Sequence, residues 1–103
     1  MNKIKIYKIS HKKLNELLIK CSKYEKMEHF LFISKHADTY IAVDNEFGMC
    51  FMEEFLNLKR ALCWLVRKDY SKDEINRLMD NEVNELISKE PIVLIPYEVS
   101  YGL

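Results

Sequence analysis

The chain has 103 residues, 49% hydrophobic and 31% charged, which is enough to bury one core without covalent staples and too little for two, so residues 1–103 read as a single domain. Two Gly and two Pro exclude flexible linkers and a glycine-rich phosphate cradle, and apolar runs of about four or five residues fall far short of the roughly 20 that span a bilayer. Net charge is zero but polarised: residues 1–35 carry nine Lys against three Glu, a balance of +6, and residues 36–103 carry seven Lys or Arg against thirteen Asp or Glu, a balance of −6.

In chain order, Lys3-Ile-Lys-Ile-Tyr7 alternates with period two and reads as a half-buried strand, unlike the continuous apolar stretch of a signal peptide. Ser10 then caps a helix from about His11 to Lys23, because Leu14, Leu17, Leu18, Cys21 and Tyr24 recur at the spacing of one apolar stripe. Phe30–Ile33, Thr39–Val43 and Met49–Met52 are short segments rich in aromatic and β-branched residues, separated by Lys35–Asp38 and Asp44–Gly48. Connections this short permit only an antiparallel meander, since a parallel crossover needs about a dozen residues or more.

Asn57 starts a second helix with the stripe Leu58, Ala61, Leu62 and Leu65, Trp64 on its flank and Cys63 roughly opposite. Ser71-Lys-Asp-Glu74 is a capping box, and Ile75, Leu78, Met79, Val83, Leu86 and Ile87 continue one stripe until Pro91 stops it. Ile92–Ile95 is a last strand that Pro96 confines to an edge or ends, and its apolar edge is open to pairing with a second copy in a homodimer or to cover by the C-terminal tail. The expected fold is α+β, an antiparallel sheet of four to five strands with helices packed on one face, in the order β-α-β-β-β-α-α-β.

Glu53 and Glu54 are adjacent in a strand, so their side chains point to opposite faces and do not make a carboxylate dyad with each other. Metal-dependent nucleases follow a strand-end acid with Glu-x-Lys, whereas here Lys59 and Arg60 arrive only after Phe55-Leu-Asn-Leu. His29 and His36 bracket an extended strand and stand about 20 Å apart, too far to share a metal, while His11 in a first helical turn is expected at the surface. Cys21, Cys50 and Cys63 are odd in number and lack CxxC spacing, so no disulfide framework, metal site or cofactor is expected, and no catalytic set is supported by a local motif.

Two binding readings remain. Lys3, Lys5, Lys8, Lys12, Lys13, Lys20 and Lys23 with Tyr7 and Tyr24 could contact nucleic acid, although only three Arg are present for base-edge recognition. Alternatively, Asp73, Glu74, Asp80, Glu82, Glu85 and Glu90, joined by Asp44, Glu46, Glu53 and Glu54, could occupy a basic groove on another protein. Phe47, Trp64, Tyr70, Tyr97 and Tyr101 supply aromatic anchors for such an interface.

The central motif Asp44-Asn-x-x-Gly48, Glu53-Glu-Phe55 and Ala61-x-x-Trp64-Leu65, about a quarter of the chain, resembles small proteins of phages and conjugative elements, and the Lys- and Asn-rich composition looks like that of an AT-rich genome. That resemblance implies an anti-CRISPR-like inhibitor, in which a short sheet with helices occludes a nuclease. The expectation is a non-enzymatic, cytoplasmic protein-binding module with no membrane association, binding a host protein through Asp44, Glu46, Phe47, Glu53 and Glu54 at the hairpin and Asp73, Glu74 and Asp80 beyond it. A nucleic-acid-binding regulator and a small carboxylate-dependent enzyme are the alternatives.

Overall fold

The structure is a computed structural model that describes residues 2–24 and 30–97. Five strands, β1 (Ile4–Lys8), β2 (Leu31–His36), β3 (Thr39–Asp44), β4 (Phe51–Phe55) and β5 (Ile92–Pro96), form one sheet in the order β4-β3-β2-β1-β5. Four helices accompany it, α1 (His11–Tyr24), α2 (Leu58–Val66), α3 (Lys72–Arg77) and α4 (Asp80–Ser88). The α+β class holds, and the β2-β3-β4 meander is antiparallel throughout.

The sheet as a whole is mixed, which corrects the expectation of a purely antiparallel one. β1 pairs parallel with β2, in the register Ile6 to Leu31, and parallel with β5, in the register Ile4 to Ile92. Each connection contains helix, α1 in the first case and α2–α4 in the second, so both are long enough to cross over. The short loops of the meander gave a correct local reading, but they carry no information about how β1 meets its neighbours.

A strand flanked by parallel neighbours needs cover on both faces. Accordingly the helices do not share one face, a second correction. Leu14, Leu17 and Leu18 of α1 pack with Tyr7, Ile9, Phe32 and Val43 on one side, while α2, α3 and α4 close the other over Ile6, Leu31, Ile33, Ala42 and Phe55. Ser10 caps α1 through its hydroxyl, which accepts the Lys13 N–H at 3.2 Å. Beneath α1, Tyr7 stacks on Phe30 with ring centroids 4.5 Å apart and meets Tyr97 edge-on at 6.0 Å.

On the opposite face α2 lies between the sheet and the other two helices. Asn57 caps it, its side chain accepting from the Lys59 and Arg60 N–H groups at 2.8 and 3.3 Å. Ala61, Leu62 and Leu65 are buried as the stripe requires, but so is Cys63, placed by the stripe on the outer side, because α3 and α4 pack over α2. That burial pushes the Cys63 thiol up from its ordinary value and keeps it protonated.

The single helix expected after Ser71 is two. The capping box forms, Ser71 Oγ accepting the Glu74 N–H and Glu74 Oε1 accepting the Ser71 N–H, each at 3.2 Å. The helix then breaks at Leu78 and Met79, both in extended conformation. Arg60 of α2 occupies the break, donating to the Ile75 carbonyl at 2.6 Å and to Asp80 Oδ1 at 2.8 Å. The bend keeps Ile75 and Val83 both buried against α2.

Met79 occupies the N-cap position of α4 without a side-chain oxygen to offer, and its own N–H is accepted by Glu82 Oε1 at 2.9 Å. Its side chain is 67% exposed, so little packing is lost on replacing it. Met79→Ser supplies the missing acceptor and is expected to stabilise the fold by about 0.5–1 kcal/mol, read as a higher urea midpoint with unchanged slope.

Candidate functional interface at the β4 edge

β4 borders only β3, so its other side is an open sheet edge. The approach to it is the loop Asn45–Cys50, organised by one buried residue. Asn45 is 0% exposed, and its N–H donates to the Phe30 carbonyl at 3.1 Å. Its own carbonyl accepts the Gly48 N–H at 3.1 Å, and its Oδ1 accepts the Cys50 N–H at 2.9 Å. Gly48 and Cys50 both adopt positive φ, 74° and 51°, a conformation natural for Gly and costly for Cys. The loop is therefore held in shape by hydrogen bonds and pushes its remaining side chains outward.

Apart from Glu46, the exposed side chains here are apolar. Phe47 and Leu56 are each 81% exposed and Met49 is 66% exposed, with Phe51 and Met52 also at the surface. Phe51 and Met52 are neighbours in a strand, so one faces the α2 side and the other the α1 side, and neither helix layer extends far enough to cover them. Phe55 at the end of the same strand is buried and packs its ring 6.1 Å from Trp64. The edge thus changes from exposed to anchored within five residues.

The carboxylates foreseen for this surface are distributed unevenly. Lys68, in the loop after α2, pairs with Asp44 and reaches Glu46 Oε1 at 2.7 Å, so one ammonium serves two acids. Asp44 Oδ1 also accepts the Glu46 N–H at 3.2 Å, fixing the start of the loop. Glu53 meets Lys72 at 3.6 Å, which ties the first turn of α3 to β4 and brings Asp73 and Glu74 to this side of the molecule. Glu74 is engaged in its capping box, and Asp80 is drawn to Arg60 in a hollow shared with Leu56 and Asn57. Among the described residues Glu54 and Asp73 enter no ion pair.

Glu53 and Glu54 do lie on opposite faces, since Glu53 registers with Ala42 of the α2 side and Glu54 with Ile41 of the α1 side. Of the other foreseen anchors, Trp64 and Tyr70 are half-buried against the α2-side core, with the Arg67 guanidinium 5.3 Å from the Tyr70 ring. Tyr97 belongs to the α1-side cluster, and Tyr101 lies outside the described residues. Beside Tyr70, Arg67 donates to Asp69 at 3.2 and 3.1 Å and holds that carboxyl below its usual value.

The alternative sites are not brought together in the same way. Tyr7 is spent on the aromatic cluster beneath α1, and Lys5 and Lys8 lie three residues apart on opposite faces of β1. The side chains of Lys20, Lys23 and Tyr24, and all of His29, lie outside the described residues. His11 is half-buried instead of exposed, its ring stacked on His36 at 3.8 Å. The buried His11 Nδ1 and the buried Ser34 hydroxyl each lack a hydrogen bond, so they do not form a nucleophile–base pair with one another. No helix among the described residues is long and apolar enough to cross a membrane.

Comparison with protein-family models, with curated proteins and with solved structures gives no match. The surface has a chemistry of its own: exposed apolar side chains in the loop and at both ends of an open-edged strand, with Glu53 and Glu54 between them. Met49, Phe51, Met52 and Leu56 were not foreseen as part of it, although the adjacent apolar pair Phe51-Met52 already required one of the two to face away from any single core. Asn45→Ala removes the Oδ1 acceptor and strands the Cys50 N–H, so stability is expected to fall by about 1–3 kcal/mol, with amide exchange accelerated through residues 45–50.

Proposed function

We propose that this chain is a non-enzymatic protein-binding module that docks through its β4 edge and the preceding loop. The observation that carries this reading is the exposure of Phe47 and Met49 in the loop, Phe51 and Met52 at the start of open-edged β4, and Leu56 just past its end. Open, apolar strand edges invite pairing with another chain, and proteins ordinarily blunt them with charge, Pro or a covering element. In β4 the charge is confined to Glu53 and Glu54, and exposed apolar side chains flank them, an arrangement that strand addition by a partner uses: backbone pairing for affinity and alternate side chains for selectivity.

Charge refines the partner. Lys68 and Lys72 neutralise the acids at the base of the loop, and Glu54 and Asp73 stand clear of ion pairs among the described residues. A complementary surface is apolar at its centre and basic at its rim, as in the nucleic-acid groove of a nuclease. In that setting the module acts as an inhibitor of the phage or mobile-element kind, excluding nucleic acid by occupying its binding surface. Direct nucleic-acid binding has less support, because among the described lysines Lys5 and Lys8 lie on opposite faces of β1 and Tyr7 is packed in the aromatic cluster.

Capture from a native bacterial lysate, with and without nuclease digestion, tests the reading when wild type is compared with Phe47→Ser/Leu56→Ser and with Glu53→Lys/Glu54→Lys. A protein retained after digestion by the wild type, and weakened at least about tenfold by the apolar double variant, is the expected result, since interface anchors of this type cost about 2 kcal/mol or more each. Equal retention by all three proteins, or a partner lost on digestion, would contradict it.

A further inference from the structure

A cavity of about 550 Å³ lies at the end of the sheet where α2 begins, beside the α2-side face. It opens where the parallel strands β1 and β5 end and β2 turns into β3, so its walls come from four strands and the start of α2. The register explains its composition. Lys8 lies beside Ile33 on one side and Pro96 on the other, and Lys35 lies beside Tyr40, so both lysines and both apolar neighbours project from the same face. Leu58 and Leu94 complete the apolar wall, and Ser10 adds a hydroxyl near the mouth.

No carboxylate lines this cavity, in a chain whose acidic and basic residues are equal in number. Lys8 and Lys35, like Lys3, Lys5, Lys12, Lys59 and Arg77, enter no ion pair among the described residues, but they are the two cations that line this cavity. Lys35 instead rests with its ammonium 5.8 Å from the Tyr40 ring centroid. Two unneutralised ammonium groups over an apolar, aromatic-walled hollow of small-molecule size make a site of defined polarity. Long lysine stems cover apolar surface while their ammonium heads keep to water.

We infer that this cavity binds an amphipathic organic carboxylate, its head held by Lys8 and Lys35 and its apolar body against Ile33, Leu58 and Leu94. The site shares no residue with the β4 surface, so it stands whether or not the docking proposal does. A head of opposite sign is disfavoured by the same two lysines, and an uncharged one leaves them without a partner.

The test is a titration of the full chain, followed by amide chemical shifts, with decanoate, decanol and decylamine, all below their aggregation concentrations. Decanoate is expected to shift resonances around Lys8, Ile33, Lys35, Tyr40 and Leu94, and decylamine is expected to leave them in place. Lys8→Gln/Lys35→Gln, both at exposed positions, is expected to keep the wild-type spectrum elsewhere and lower decanoate affinity at least about tenfold, the loss of a charge-assisted contact. Equal binding of decanoate and decylamine, shifts centred on Phe47 and Met49, unaltered affinity in the double variant, or no shifts at all would each overturn the assignment.

Discussion

The parallel pairing of β1 with both β2 and β5 is the constraint on which the rest of the structure depends. Parallel strands are joined only through crossovers, and a strand with parallel neighbours on each side is stable only when both faces are covered. Ile6 shows the result at the centre of the sheet, fully buried between β2 and β5 and beneath the α2 layer. Because α1 is committed to one face and α2–α4 to the other, the meander grows outward from β2, and β4 becomes an edge.

The two edges are treated differently. β5 ends in Pro96, which offers no N–H for further pairing, and the following Tyr97 N–H donates back to the Lys8 carbonyl at 2.9 Å. β4 carries no Pro, only the charges of Glu53 and Glu54, and in the loop leading into it the Asn45 side chain holds the Cys50 N–H and offsets the cost of a positive φ at a residue with a Cβ. Phe47 and Met49 are left exposed on this hydrogen-bonded loop, at a cost to the isolated fold. The lysine-lined cavity lies at the end of the sheet where α2 begins.

Much of the local structure was legible in residue order because it rests on short-range chemistry. Asn57 and Ser71 cap helices as their side chains allow, the meander follows from its loop lengths, and Pro96 marks an edge. What escaped depends on distant partners. Nothing near β1 announces that it runs parallel to Ile92–Pro96, more than eighty residues away, and Arg60 reaching the Ile75 carbonyl is what accommodates the break that a continuous stripe concealed. Cys63 is buried by a second layer that a one-stripe helix does not foresee. In the candidate site Asp44, Glu46 and Phe47 stand out from the turn pattern and Glu53 and Glu54 from their adjacency, but the long-range pairing of Lys68 and Lys72 that neutralises three of these acids does not.

Site-specific photo-crosslinking tests the central claim most directly, with benzoylphenylalanine placed in turn at Phe47, at Leu56 and at Lys12, an exposed position on α1. In native lysate, the account expects positions 47 and 56 to capture one common protein that survives nuclease digestion, and position 12 not to. Capture of that protein from position 12, with none from 47 or 56, would place the contact elsewhere and contradict a docking surface at the β4 edge.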